Sequence, residues 1–173
     1  MSGGVAVLQV GAATKMEMKE KKDRVDDALH ATRAAVEEGI VPGGGVALLR
    51  VAPQLEDLIG GLSGSAQQGA ELLQRALTRP FFHIAANAGL NGETELTKAA
   101  KAKNGHGLDA RNGATVDLVK AGIIDPVKVC YSAVRNAASV AGLILTTQTL
   151  IAKKPDDYDP TAGPARGGGA ELL

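Results

Sequence analysis

The chain has 173 residues, 19 acidic and 19 basic side chains, and only 2% aromatic residues. Zero formal net charge gives no electrostatic reason to expect nucleic acid or an anionic membrane as a partner, and few aromatic rings argue against a site that stacks bases. The single cysteine, Cys130, and three histidines exclude an intrachain disulfide and a cysteine–histidine zinc cluster, so we expect a reducing, cytoplasmic location.

The first part of the sequence predicts a strand, a long helix and a second short strand. Residues 5–10 have strand composition, and no signal-peptide layout precedes them. The helix is expected to end at Gly39, and apolar residues from Val25 to Val36 recur at helical spacing, which predicts one buried stripe. Ile40 and Val41 then form a short strand that leads into three glycines at 43–45.

The rest of the sequence predicts further helices separated by proline and glycine. We expect a second helix from Val46, helices near residues 65–79, 81–88, 93–103 and 116–121, and a strand pair near 104–107. Asp125 and Pro126 together are typical of a helix start, and they predict the last long helix. The fold class is therefore mainly α with a few short strands.

Two segments decide the expectations about membranes and disorder. The longest largely apolar stretch, residues 137–145, is shorter than the roughly 18 residues of a membrane-spanning helix, so we expect no membrane partner. Residues 156–173 are rich in glycine, proline and aspartate, which predicts a disordered tail.

Three glycines between a strand and a helix let the backbone pass close to a ligand. The amides at such a helix start favour an anion such as phosphate. Gly43, Gly44 and Gly45 meet this description, although neither a dinucleotide fingerprint nor a P-loop is present. A turn that needs glycine for its backbone angles or for tight packing explains the same pattern.

Acidic side chains are grouped on the polar face of the first long helix. Asp27 has Asp23 one turn before it, Asp26 beside it and His30 nearly one turn after it. Such carboxylates are able to hold a cation or to orient a water for attack on a phosphoryl group, but a solvated helix face has the same pattern. Asp125 is likewise explained by capping alone.

Read together, the segments resemble the GroEL-type (group I) chaperonins. The similarity spans about residues 3–155 and lies in several strings that keep the same register. The strings that carry it are residues 5–14, 17–22, 27–39, 42–48, 122–126 and 136–142 with Thr146 and Thr147.

The resemblance implies a domain organisation and a nucleotide pocket. Residues 1–37 would be the returning segment of the intermediate, hinge-like domain, and residues 38–155 the C-terminal half of the equatorial, ATP-binding domain. It further implies that Asp27 acts on the water that attacks the terminal phosphate, that Gly44 lines the nucleotide and that Asp125 bonds the ribose. The adenine would be contacted by the loop of Asp109, Ala110 and Arg111.

The resemblance also implies what this chain lacks. In the family the phosphate-binding loop, a metal-binding aspartate and a second catalytic aspartate lie in the N-terminal half, so no metal ligand for the Mg²⁺ of ATP is expected here. The implied partners are that remaining N-terminal part of the subunit, a homo-oligomeric ring, a co-chaperonin and unfolded polypeptide clients. Arg111 departs from the family, which usually has a small residue at its place.

A rival hypothesis is a truncated helical assembly module without enzymatic activity. We also expect the isolated chain to self-associate, because the strand at residues 5–10 and the strand near Ile40 would normally pair with segments outside this sequence.

Overall fold

A computed structural model describes residues 4–152 and is mainly helical with four short strands in that range, which confirms the predicted fold class. The predicted tail, residues 156–173, lies outside the described residues. The elements are α1 Lys15–Glu38, β1 Ile40–Pro42, α2 Val46–Val51, a 3-10 turn Ala52–Leu55, α3 Glu56–Gly60, α4 Gly64–Leu77, α5 Arg79–Asn87, α6 Gly92–Lys101, β2 His106–Asp109, β3 Ala114–Asp117, β4 Ile124–Pro126 and α7 Val127–Thr146.

The strands form two antiparallel pairs. β1 pairs with β4, with Val41 opposite Asp125, and β2 pairs with β3 as a hairpin. The expectation that the strand near Ile40 lacks a partner in this chain is therefore wrong, because a strand more than eighty residues later supplies its hydrogen bonds. Residues 4–10 belong to no strand, so the strand predicted at 5–10 does not form in this chain.

The hydrophobic core lies among α2, α5, α6 and the β2–β3 hairpin. Phe81 and Leu118 are its largest fully buried side chains, together with Val46 at the start of α2. The backbone of β2 lies against α2, since a Cβ on Gly107 would come 2.5 Å from Val46 Cγ2. The remaining buried members of the cluster are Leu49, Ala85, Ala99 and Leu108.

Arg50 connects α2 with the end of α6. Its guanidinium donates hydrogen bonds to the backbone oxygens of Ala100, Ala102 and Lys103, at 3.0, 2.5 and 3.3 Å. The last carbonyls of a helix lack partners within the helix and carry partial negative charge, so a cation there stabilises the helix end. This contact fixes α6 and the hairpin that follows it against α2.

The two longest helices lie outside the core. Neither α1 nor α7 has a buried residue, so the buried stripe predicted on α1 between Val25 and Val36 is wrong for this chain. Helical periodicity shows which face is apolar, whereas burial requires a neighbouring element to cover that face. Within residues 4–152 the stripe is covered only in part: Val25 and Ala35 are half-buried, whereas Val36 is 82% exposed.

Two predicted element boundaries are also wrong. The segment 116–121, predicted as a helix, contains the end of β3 and a turn, because its backbone pairs with β2. Asp125 does not cap α7: Pro126 occupies the N-cap position, and Asp125 lies in β4 opposite Val41. Strand pairing outweighed the local helix preference in both cases, within a hairpin for residues 116–117 and with a strand more than eighty residues away for Asp125.

Candidate functional site

The glycine triplet forms the turn between β1 and α2, and two of its members are held by close packing. A Cβ on Gly43 would come 3.0 Å from the carbonyl carbon of Ile124, and one on Gly45 would come 2.7 Å from the backbone nitrogen of Phe81. Gly45 also has φ +78°, a left-handed conformation that costs other residues free energy. The packing explanation of this sequence therefore holds for Gly43 and Gly45.

Gly44 differs from its two neighbours because it faces open space. Its φ is +66°, and a Cβ there would have one neighbour within 4 Å among the described residues, Ile123 Cγ2 at 4.0 Å. A backbone without a side chain, beside an open volume, allows a ligand to approach the main chain. The sequence could not show which of the three glycines has this property.

Asp125 lies close to Gly44. Burial raises the pKa of the Asp125 carboxyl above its usual value, and the nearby backbone amide of Gly44 opposes this rise in the pKa. The strand pairing of β1 with β4 brings these two predicted site residues together, and the carboxylate keeps further lone pairs for a hydroxyl donor.

Asp109, Ala110 and Arg111 form the turn between β2 and β3. Asp109 organises it: its carboxylate accepts from the Arg111 amide at 3.0 Å, and its carbonyl accepts from the Gly113 amide at 2.9 Å. Ala110 and Arg111 are exposed. The turn thus has a fixed backbone, and its two exposed residues project from the hairpin.

Two backbone hydrogen bonds connect the hairpin with the glycine turn. The amide of Ile123 donates to the carbonyl of Leu118 at 2.8 Å, and the amide of Gly43 donates to the carbonyl of Ile123 at 2.9 Å. Leu118 is fully buried and follows β3 directly. Ile123 therefore fixes the glycine turn and the hairpin to one framework, a role that its apolar side chain gives no means of predicting.

Asp27 is exposed on α1 and makes no hydrogen bond or ion pair within the described residues. Eleven residues separate it from Glu38, which corresponds to about 16 Å along the helix axis. The structure does not bring Asp27 to the glycine turn. No group of three or more His, Cys, Asp and Glu side chains able to hold a metal ion occurs in residues 4–152.

Side-chain contacts fix the end of α1 to the beginning of α7. Lys128 Nζ donates to Glu37 Oε2 at 2.6 Å, and the hydroxyl of Tyr131 donates to Glu38 Oε1 at 3.0 Å. The amide of Val127 donates to the carbonyl of Gly39 at 3.1 Å. Val127 follows Asp125 by two residues, so this junction lies beside Asp125. A change in the direction of α1 would therefore move residues next to Gly44 and Asp125.

Cys130 lies half-buried on the first turns of α7, near the same carboxylate. Burial raises the pKa of its thiol, and the negative charge of Asp125 raises this pKa further. A thiol held in its protonated form is a poor nucleophile. This agrees with a packing role for Cys130.

Comparisons with known proteins agree with one another. The family described as the TCP-1/cpn60 chaperonin family matches residues 1–155. The protein named Chaperonin GroEL 4 from Bradyrhizobium diazoefficiens is 50% identical over the whole chain, which spans 32% of that relative's length. A crystal structure of a group III chaperonin in the open state superimposes with a TM-score of 0.72 at 35% identity, covering 82% of this chain and 30% of the solved one. The chain belongs to the TCP-1/cpn60 chaperonin family.

Proposed function

We propose that this chain is part of an ATP-dependent chaperonin that assists the folding of unfolded polypeptides in the cytoplasm. It contributes one part of the site that binds and hydrolyses ATP, together with contacts in a homo-oligomeric ring that works with a co-chaperonin. The family membership and the 50% identity to a GroEL support this proposal. The chain spans about a third of that relative, so the rest of the subunit must complete the site.

The observation that carries the nucleotide site is the pairing of an open glycine with a half-buried acid. Gly44 faces free space between two packed glycines, and its backbone amide is close enough to the Asp125 carboxylate to lower the pKa of that carboxyl. An open backbone next to a carboxylate with free lone pairs suits a ligand that carries hydroxyl groups, as the ribose of ATP does. Asp125 would accept from the ribose hydroxyls, and Gly44 would lie against the nucleotide.

The hairpin turn supplies a second part of the same surface. Asp109, Ala110 and Arg111 would contact the adenine, and the hydrogen bonds through Ile123 hold this turn in register with the glycine turn. Bound ATP with Mg²⁺ supplies the phosphoryl group and the cation that neutralises its charge. The metal ligands would lie in the rest of the subunit, as the resemblance to the chaperonins implies.

Asp27 would orient the attacking water once α1 swings toward the nucleotide. Only the last turn of α1 is fixed to α7, through Glu37 and Glu38, whereas the part of the helix around Asp27 is exposed. A helix held at one end is able to move as a lever about the junction at Gly39. The exposed position of Asp27 on the free part of α1 is consistent with a site that assembles by hinge motion.

A chimera tests this function. The chain replaces the matching third of the Bradyrhizobium relative, and ATP hydrolysis is measured with Asp27→Ala and, as the matched control, Asp26→Ala. We expect the chimera to hydrolyse ATP, Asp27→Ala to lower kcat by about 10²-fold or more, and Asp26→Ala to leave kcat within about twofold. Equal rates in the two variants would remove the role of Asp27.

A second candidate is a helical assembly module without enzymatic activity. The bare surfaces of α1 and α7 favour it, because they are suited to contacts with other polypeptides. Isothermal titration calorimetry, with ATP and Mg²⁺ titrated into the isolated chain, distinguishes the two candidate functions by whether a heat of binding is measured. Micromolar binding supports the nucleotide site, and no heat of binding supports the assembly module.

A further inference from the structure

The turn between β2 and β3 carries a free guanidinium on a fixed backbone. Arg111 is exposed, and its side chain makes no hydrogen bond or ion pair within residues 4–152. Its backbone amide donates to Asp109 Oδ1 at 3.0 Å, and the amide of Ala114 donates to Asn112 Oδ1 at 2.9 Å. The turn therefore holds the backbone of Arg111 in place, while the N–H groups of the guanidinium remain available to a ligand.

The other charged groups of the hairpin lie at its opposite end. Lys120 Nζ lies 3.3 Å from Asp117 Oδ2, and His106 is opposite Asp117 in the strand register. Each strand residue adds about 3.3 Å, so His106 and Asp109 are separated by about 10 Å along β2. A ligand at the turn therefore meets the guanidinium of Arg111 and the second carboxylate oxygen of Asp109, since Oδ1 is occupied by the Arg111 amide.

The hairpin contacts the helix that follows the glycine turn. A Cβ on Gly107 in β2 would come 2.5 Å from Val46 Cγ2, and Val46 begins α2 directly after Gly45. Asp109 lies two residues beyond Gly107, which corresponds to about 7 Å along the strand. A nucleoside bound over Gly44 is long enough to bring its base to this turn.

Purine bases differ at the edge that such a turn would contact. Guanine presents two neighbouring acceptors, O6 and N7, whereas adenine presents the acceptor N7 beside the amino donor N6. A guanidinium has donors only, so it makes two parallel hydrogen bonds with guanine and one with adenine. The free carboxylate oxygen of Asp109 is able to accept from the adenine amino group, so Arg111 adds affinity for guanine without excluding adenine.

We propose that Arg111 determines the base selectivity of the nucleotide site and makes it accept guanine nucleotides as well as ATP. This inference rests on the proposed function, which places the base at the turn of Asp109, Ala110 and Arg111. It names a wider substrate class for that site, namely purine nucleotides with either an amino group or a carbonyl oxygen at C6.

Isothermal titration calorimetry of the chimera, which contains the full chain, tests the inference through binding rather than hydrolysis. ADP, GDP and inosine diphosphate are titrated with Mg²⁺; inosine shares O6 and N7 with guanine but lacks its 2-amino group. We expect GDP and inosine diphosphate to bind with Kd values within about tenfold of that for ADP. Arg111→Ala should raise the ratio of the GDP Kd to the ADP Kd by about tenfold, because a bidentate pair discriminates between bases by about that factor.

Two further variants separate recognition of the base from charge and from folding. Arg111→Lys keeps the positive charge but not the two parallel donors, so it should raise the same Kd ratio. Arg75→Ala removes an exposed guanidinium from α4, which packs mainly against α3, α5 and the 3-10 turn, and it should leave the ratio unchanged. If Arg111 bound the ribose or the phosphates instead, Arg111→Ala would weaken ADP and GDP equally, which would overturn the inference.

The outcomes distinguish this inference from the proposed function. Binding of ADP without GDP, or a Kd ratio that Arg111→Ala leaves unchanged, would overturn the role of Arg111 and leave the proposed function standing. Inosine diphosphate that fails to follow GDP would also overturn it, since the site would then recognise the 2-amino group. Binding of neither ADP nor GDP would contradict the nucleotide site itself, and the inference with it.

Discussion

Gly45 has no room for a side chain, and its backbone angle also excludes most other residues. A Cβ at this position would come 2.7 Å from the Phe81 backbone nitrogen, at φ +78°. Gly105 has the same φ of +78°, but a Cβ there would have nothing within 4 Å. Comparing alanine substitutions at Gly45 and Gly105 therefore separates the cost of backbone strain from the cost of a steric clash.

Gly45→Ala should lower the free energy of unfolding more than Gly105→Ala does. We expect Gly105→Ala to lower it by about 1–2 kcal/mol because of the left-handed conformation alone. Gly45→Ala should lower it by about 1 kcal/mol or more in addition, because Phe81 must move. Urea denaturation followed by circular dichroism measures both variants. Equal midpoints would show that the packing of α5 on the glycine turn is looser than described.

Asp125 should make stability depend on pH in a direction set by its burial. Its pKa in the folded chain is raised above the usual 3.8, so the protonated form is favoured by folding. The corresponding stability is present below pH 3.8 and is lost as pH rises through the raised pKa. We expect Asp125→Asn, which keeps an acceptor for Gly44, to gain stability relative to the wild type between pH 3 and pH 7, roughly spanning this titration.

Urea midpoints of the wild type and of Asp125→Asn at the two pH values test this prediction. Asp26→Asn, the same substitution at an exposed position on α1, serves as the control. If the urea midpoints of the wild type and of Asp125→Asn differed by the same amount at both pH values, the raised pKa of Asp125 would be contradicted. The same substitution should weaken ATP binding in the chimera, which marks Asp125 as a residue placed for a ligand at some cost in stability.

At the scale of elements, the junction between α1 and α7 is the contact on which hinge motion depends. It consists of the Lys128–Glu37 ion pair, the Tyr131–Glu38 hydrogen bond and the backbone bond from Val127 to Gly39. The hydrogen bond and charge of Lys128 lower the pKa of Glu37, so this carboxylate stays ionised down to a lower pH than usual. The junction should therefore persist at neutral pH and weaken as the pH falls through that lowered pKa.

Removing the junction should loosen the last turn of α1 without unfolding the core. We expect the double variant Lys128→Ala/Tyr131→Phe to speed hydrogen exchange at residues 35–39 and to leave that of α5 unchanged, because neither side chain contacts the core. Lys21→Ala is the matched control, since it breaks an ion pair with Glu17 within α1, far from the junction. Equal exchange in the double variant and the control would contradict the role of the junction.

At the scale of the whole molecule, local signals in the sequence predicted the elements and the fold class well. Gly39 ends α1 as predicted, and α6 forms at Gly92–Lys101 where a helix near 93–103 was expected. The break between α4 and α5 falls at Thr78, and Pro80 lies in the first turn of α5. The errors lie where strand pairing decides. β3 replaces part of a predicted helix because it forms a hairpin with β2, and Asp125 is a strand residue because the distant strand β1 lies beside it.

The site could be predicted only in part, for the same reason. The resemblance assigned Gly44 and Asp125 to one pocket, and the structure places them in contact. The packing of Gly45 against Phe81 and the backbone role of Ile123 depend on contacts between distant segments, and no local pattern reports them. The predicted burial on α1 failed because periodicity identifies an apolar face but does not show that another element covers it.

A structure of the chimera with a non-hydrolysable ATP analogue and Mg²⁺, determined by electron cryomicroscopy, would test the nucleotide site directly. We expect the nucleotide to lie over Gly44, with the Asp125 carboxylate within hydrogen-bonding distance of a ribose hydroxyl and Asp27 turned toward the terminal phosphate. A nucleotide bound elsewhere, with Gly44 and Asp125 facing solvent, would contradict it.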